Sequence, residues 1–472
     1  VHGNRKWRRS ALTAAAFTCA LGLVASACGD DKKSSSTTLG SSSSNATSAG
    51  SGTSQPAKPA GVLPNNGPCD AAKPPIKLAT FTVIESPVLS LQDSADAGEA
   101  AVAGFNKRGG IGGRCMQLTI CDSKGDPNKE TACARDVVSS GAVATLNDNA
   151  IFAPDAVRTI LAAAGVPRVA QNPQPADLTM TGVYSLDGGG AGTTFITVPA
   201  CAVNGHKKIA AIHVDTPTIG PLFAALAPML KAYGAELVAK IPVPAGTTDY
   251  SQFTLAAQSA GATCVMVVLG QNEAVQVLRA AGELKSSLAF SGSAASFSND
   301  SLKSLGAVAE KMYLNGATPP LVSDYSRWPV LADLQADFDA SGKANLKKDA
   351  VQINAIPPWE GVLAFTQIIE KFGDPTNVTR ATVAAAVKAA KDINMYGLIP
   401  NWTPTATSPP FTGVSNPWYY VMSYKNGDFV VSDKMYNMAN ELAGKIDYDH
   451  NPGASTPAAT TVPATAATTT AP

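Results

Sequence analysis

The stretch that most constrains this chain runs from Ile76 to Asp155. It opens with a β-branched, apolar run, Ile76 to Val83, followed by a helical segment, Asp93 to Lys107, that stops at the glycines of Gly109 to Gly113. A second strand follows over Met116 to Cys121, then an acidic turn and a second helix. Asp126-Pro127 is a helix start, a capping carboxylate before proline at the first helical position. Ala142 to Leu146 reads as a third strand, a helix begins at Pro154, and Val166 to Ala170 reads as a fourth strand. Strands alternating with helices across short links are the pattern of a parallel sheet with helices on both faces.

After the glycines of Gly188 to Gly192 the pattern restarts. Strands are expected at Ile209 to Val214, Leu237 to Ile241, Cys264 to Leu269, Leu288 to Ser291 and Met312 to Asn315. Helices are expected between them, one of them kinked at Pro228. The last third reads as helices at Trp328 to Ala340, Pro358 to Phe372 and Thr379 to Ala390, then a hairpin around Asn426-Gly427. Two α/β lobes in tandem, each with its own sheet, are the expected architecture, with the last third returning to complete both.

The ends have another character. Arg5, Lys6, Arg8 and Arg9 precede an apolar segment, Ala11 to Val24, too short for a comfortable membrane span. It ends in Val24-Ala25-Ser26-Ala27-Cys28, which resembles a bacterial lipoprotein box; residues 1–28 are therefore expected to be an export signal ending on a lipidated Cys28. An ordinary secretory signal cut after Ala27 is the alternative. Residues 29–75 are expected to form a flexible Ser/Thr/Gly-rich tether, and 448–472 a disordered Thr/Ala/Pro-rich tail. Six further cysteines, Cys69, Cys115, Cys121, Cys133, Cys201 and Cys264, suit disulfides in an exported chain, although they allow fifteen pairings. A local Cys121–Cys133 bridge is favoured, because a strand end and the next helix lie close. Cys69–Cys115 and Cys201–Cys264 then follow by elimination, and buried free thiols are the alternative.

Lys plus Arg equals Asp plus Glu at 36 each, which gives no reason to expect a nucleic acid partner. Enzyme signatures are missing: there is no phosphate-binding Walker loop, and Ser293 lacks the nucleophile elbow of hydrolases. The glycines at 109–113 follow a helix rather than a strand, so they read as a turn. Asp447, Asp449, His450 and Asn451 are better read as a solvated chain end than as a metal site. No metal, no cofactor and no catalysis are expected.

Two segments carry a family likeness. IKLATFTVIESP followed by DAGEAAVAGFNKRGGIGGRCMQLTICDSKGDPNKETACARDVV, and later AGATCVMVVLGQNEAVQVLRAAGE, resemble solute-binding proteins of the leucine/isoleucine/valine-binding type. The resemblance spans roughly Ile76 to Asp433. It implies the type I periplasmic-binding-protein fold: α/β, two Rossmann-like lobes with parallel central sheets joined by a three-segment hinge. Lobe 1 would comprise 76–195 plus 319–397, and lobe 2 would comprise 196–318 plus 398–447. Crossovers would fall near Thr193 to Thr197, Gly316 to Pro320 and Leu398 to Phe411. The implied activity is capture of a small polar ligand, an amino acid, an amino-acid-like compound or an amide, by lobe closure. Delivery to the permease subunits of an ABC importer would follow, from a monomer attached to the membrane by its lipid alone. A ligand sensor without transport is the second reading.

The resemblance also places the ligand. Asn149 and Ala150 match a carboxylate-binding serine position, and Asn172 and Gln174 match a backbone amide and a threonine. Thr218 or Ile219, and Gly270 with Gln271, stand at aromatic lid positions. Ser293 falls where amino-acid binders place an acid against the ligand's ammonium. A buried ammonium needs a charged partner, so Ser293 argues against a standard branched-chain amino acid unless Asp187 or Glu273 supplies the charge.

Overall fold

The computed structural model describes residues 61–86, 89–216, 219–322 and 325–449, all within one compact unit. The first sheet has four parallel strands, β1 (Ile76–Thr82), β2 (Met116–Asp122), β3 (Ala144–Leu146) and β4 (Arg168–Val169), in the order β2-β1-β3-β4. β1 is covered on both faces, which is why its residues are apolar without alternation.

The second sheet takes β5 (Lys208–Val214), β6 (Glu236–Val243), β7 (Cys264–Val268), β8 (Ala289–Ser293) and β9 (Met312–Gly316). It continues through β10 (Trp418–Lys425), β11 (Asp428–Asn437) and β12 (Tyr448–Asp449) in the order β12-β11-β10-β9-β8-β7-β5-β6. From β6 to β9 the strands are parallel; from β9 to β12 they are antiparallel. The hairpin therefore extends only the second sheet. Its turn places both Asn426 and Gly427 at positive φ, as a two-residue hairpin requires.

The chain passes between the sheets three times. After β9 it returns to the first lobe, where helices Leu331–Ser341 and Ile356–Phe372 pack on helix Gln92–Lys107. A buried ion pair fixes that return. Arg108 donates through Nη1 and Nη2 to both oxygens of Asp337, at 2.9 and 2.5 Å, and Trp359 Nε1 donates to Asp337 at 2.9 Å. The first and third passages lie side by side: Ser415 Oγ donates to Ser185 O, and Asn416 Nδ2 to Leu186 O, each at 2.7 Å. Residues 193–197, expected at the first passage, belong instead to short helices, Gly189–Phe195 and Thr197–Ala202. The second of these is packed on the second sheet, where Ser291 Oγ donates to Thr197 O.

Three disulfides link Cys69 to Cys115, Cys121 to Cys133 and Cys201 to Cys264. The first corrects the extent of the tether. Residues 61–75 lie on the first lobe, held by that bridge and by Asp333, whose carboxylate accepts the amides of Val62 and Leu63. The tail also begins later than expected, because Tyr448–Asp449 pairs with β11. The export signal, Cys28 and residues 450–472 lie outside the described residues.

Candidate ligand-binding cleft

A cleft of about 460 Å³ lies where the carboxyl ends of strands from both sheets face each other. The first lobe contributes the loops after β3 and β4. Asn147 stands at φ 45°, a left-handed conformation that asparagine tolerates, and its Nδ2 donates to Ala170 O. Asn149 Nδ2 donates to Thr82 Oγ1 at 3.3 Å, and Asn172 Nδ2 donates to Asn149 Oδ1 at 2.6 Å. This relay sets the ends of β1, β3 and β4 side by side as one polar wall.

The second lobe contributes Gly270 and Gln271, which start helix Gln271–Glu283, and Ser293 at the end of β8. Gln271 Nε2 donates to Ala295 O at 3.2 Å and also to Gln352 Oε1. Ser293 Oγ accepts the amide of Ala295 at 3.2 Å, so its hydroxyl oxygen caps a turn. Asp187, at the first passage between the lobes, also lines the cleft. Its Oδ1 accepts the Gly189 amide at 2.8 Å, while burial raises its carboxyl above the ordinary range.

The structure thus brings Asn149, Asn172, Asp187, Gly270, Gln271 and Ser293 to one cavity. It does not bring Ala150, Gln174 or Ile219 there. Ala150 is fully buried in the first lobe's core with Phe81 and Val157. Gln174 turns its amide back to Asn172 O. Ile219 packs in the core behind the second sheet with Phe223 and Leu226. Thr218 lies outside the described residues.

Asn147, in the loop after β3 that the sequence places at the cleft, also lines it, and so do Ser94, Thr193, Thr197 and Asn354, which were not singled out as contacts. Asn147 was legible, since it directly follows β3. Asn354 was not, because it arrives from a helical region distant in sequence. Two acidic groups stand close by without being lining residues. Asp93, in the first turn of helix Gln92–Lys107, is pushed up to about 6 by burial, opposed by the Ser94 amide and Asn354. Glu360 is fully buried and neither of its oxygens has a hydrogen-bond partner. Burial, and then the neighbouring Asp187, raises Glu360 well above the ordinary carboxyl range.

Two lobes around an interlobe cleft define the class of solute-binding proteins. The chain matches the periplasmic binding protein family over residues 75–428 and belongs to it. Similar solved structures include an extracellular ligand-binding receptor from Verminephrobacter eiseniae, 15% identical, with TM-score 0.62, covering 76% of this chain and 100% of that one. A fatty acid ABC transporter substrate-binding protein from Thermomonospora curvata is 17% identical, with TM-score 0.61 and coverage of 79% and 95%. A substrate-binding periplasmic protein from Ralstonia solanacearum is 14% identical, with TM-score 0.60 and coverage of 76% and 100%. At these identities the likeness speaks to fold. No curated protein matches. Among the described residues no group of three or more His, Cys, Asp or Glu is placed to hold a metal ion. No helix among them is long and apolar enough to cross a membrane.

Proposed function

We propose that this protein is the extracytoplasmic receptor of an ABC importer, held at the outer face of the cell membrane by a lipid on Cys28. It captures a small polar ligand of the amino-acid-like or amide class and passes it to a permease without chemical change. The observation that carries this reading is the cleft itself: a cavity large enough for a metabolite, lined from two separately sheeted lobes by polar side chains such as Asn149, Asn172 and Gln271 among apolar ones such as Leu91, Val268 and Ile353. The three passages between the lobes are the bending points, and a ligand touching both walls favours the closed form by its differential contacts.

The test is a thermal-shift screen of the purified full chain against amines, amino acids, amides, ureas and short organic acids. A ligand that binds only the native state raises the melting temperature with concentration. Gly190 lines the cleft, and a side chain built on it meets no atom within 4 Å, so Gly190→Trp fills the cavity without a clash at Cβ. Hits that disappear in G190W support the reading. A screen without hits, or hits unchanged in G190W, contradicts it.

A further inference from the structure

The cleft has an imbalance of hydrogen-bonding groups. Asp187 is the one ionisable side chain among its described lining residues, and no lysine, arginine or histidine joins it. The amide NH2 groups of Asn147, Asn149, Asn172, Gln271 and Asn354 all donate to protein acceptors. By contrast, Asn172 Oδ1 and Asn354 Oδ1 accept from nothing.

Several backbone donors near the cleft are engaged as well. A helix N-terminus ordinarily offers free N–H groups to an anion. Around this cleft those ends hold the chain's own carboxylates or proline. Glu130 accepts the amides of Ile151, Phe152 and Ala153 at the start of helix Pro154–Ala163. Asp93 accepts the Ser94 amide in the first turn of helix Gln92–Lys107. Helix Gln271–Glu283 has no side-chain cap, but Glu273 Oε2 stands 2.5 Å from where a Cβ on Gly270 would be, which sets a carboxylate at that end. Helix Ile356–Phe372 opens with Pro357 and Pro358, which have no N–H to give. A ligand carboxylate would meet Asp187 with no lysine, arginine or histidine among the described lining residues to offset it.

We infer that the cleft takes a small organic cation, a protonated amine or diamine without a carboxylate, whose ammonium is held by Asp187. This deepens the solute-binding reading and rests on it. A protonated nitrogen carries several donors and no acceptor, so it matches a site whose one ionisable group is a carboxylate.

The test uses matched pairs that differ by one carboxylate: leucine against 3-methylbutylamine, ornithine against putrescine, arginine against agmatine. Affinities of the full chain are measured by calorimetry. The amine of at least one pair is expected to bind at least about tenfold tighter than its amino acid, the scale of one hydrogen-bonded charge contact. Asp187→Asn should weaken that amine at least about tenfold. Val214 is a rim residue, 43% exposed, where a lysine is tolerated. Val214→Lys should weaken the amine and strengthen its carboxylated partner, a readout that survives if D187N does not fold. An amino acid binding as tightly as its amine overturns the inference while leaving solute binding intact. So does an amine indifferent to V214K and to a folded D187N. If no member of any pair binds, the inference also falls, and hits of other chemistry that vanish in G190W would still uphold the receptor.

Discussion

At the scale of single residues, Asp187 sets the charge of the cleft, and Glu360 is buried behind it. Because burial raises the Asp187 carboxyl, it is partly protonated at acidic pH and gains its charge as pH rises. Affinity for a cationic ligand should therefore increase with pH and level off once Asp187 is ionised; D187N should flatten the profile measured by calorimetry. Glu360 yields a stability prediction. Its folded pKa lies above its unfolded value near 4.5, so the folded state binds the proton more tightly. That contribution is full below the unfolded pKa and is lost as pH rises toward the folded pKa. Glu360→Gln lacks it, so its melting temperature should gain on the wild type between pH 5 and pH 9. A difference constant with pH would remove Glu360 from the account.

At the scale of elements, the late helices depend on the Arg108–Asp337 pair. Asp337→Asn leaves a mostly buried guanidinium with a weakened partner and should cost about 3 kcal/mol in urea unfolding. The Cys201–Cys264 bridge joins helix Thr197–Ala202 to β7 across a sequence separation of 63. Replacing both cysteines with alanine should lower stability by about 4 kcal/mol on the chain-entropy account, measured by the same unfolding assay. These elements also show what a sequence can disclose. β1, β2 and helix Gln92–Lys107 were legible because apolar strand runs flank a helical stretch that stops at the glycines of Gly109 to Gly113. Helix Gly189–Phe195 was not, because its glycines have low helix propensity and only its surroundings hold it helical. Within the cleft, Asn149, Asn172 and Gln271 were legible as residues following strand ends. Glu130, Glu273 and Glu360 were not: whether a glutamate faces water, folds over a helix end or is buried in a helix core is decided by tertiary packing.

At the scale of the whole molecule, two sheets, three passages and one interlobe cavity make a device for enclosing a small molecule. Ligand should draw the lobes together, and the radius of gyration from small-angle scattering of the full chain should fall on saturation. The central claim, that binding occurs in this cleft, is tested most directly by calorimetric titration. The wild type and Gly190→Trp would each be titrated with the strongest hit of the thermal screen. The account predicts one ligand per wild-type chain and no binding heat from a folded G190W. Equal binding by both proteins would place the ligand elsewhere and contradict the account.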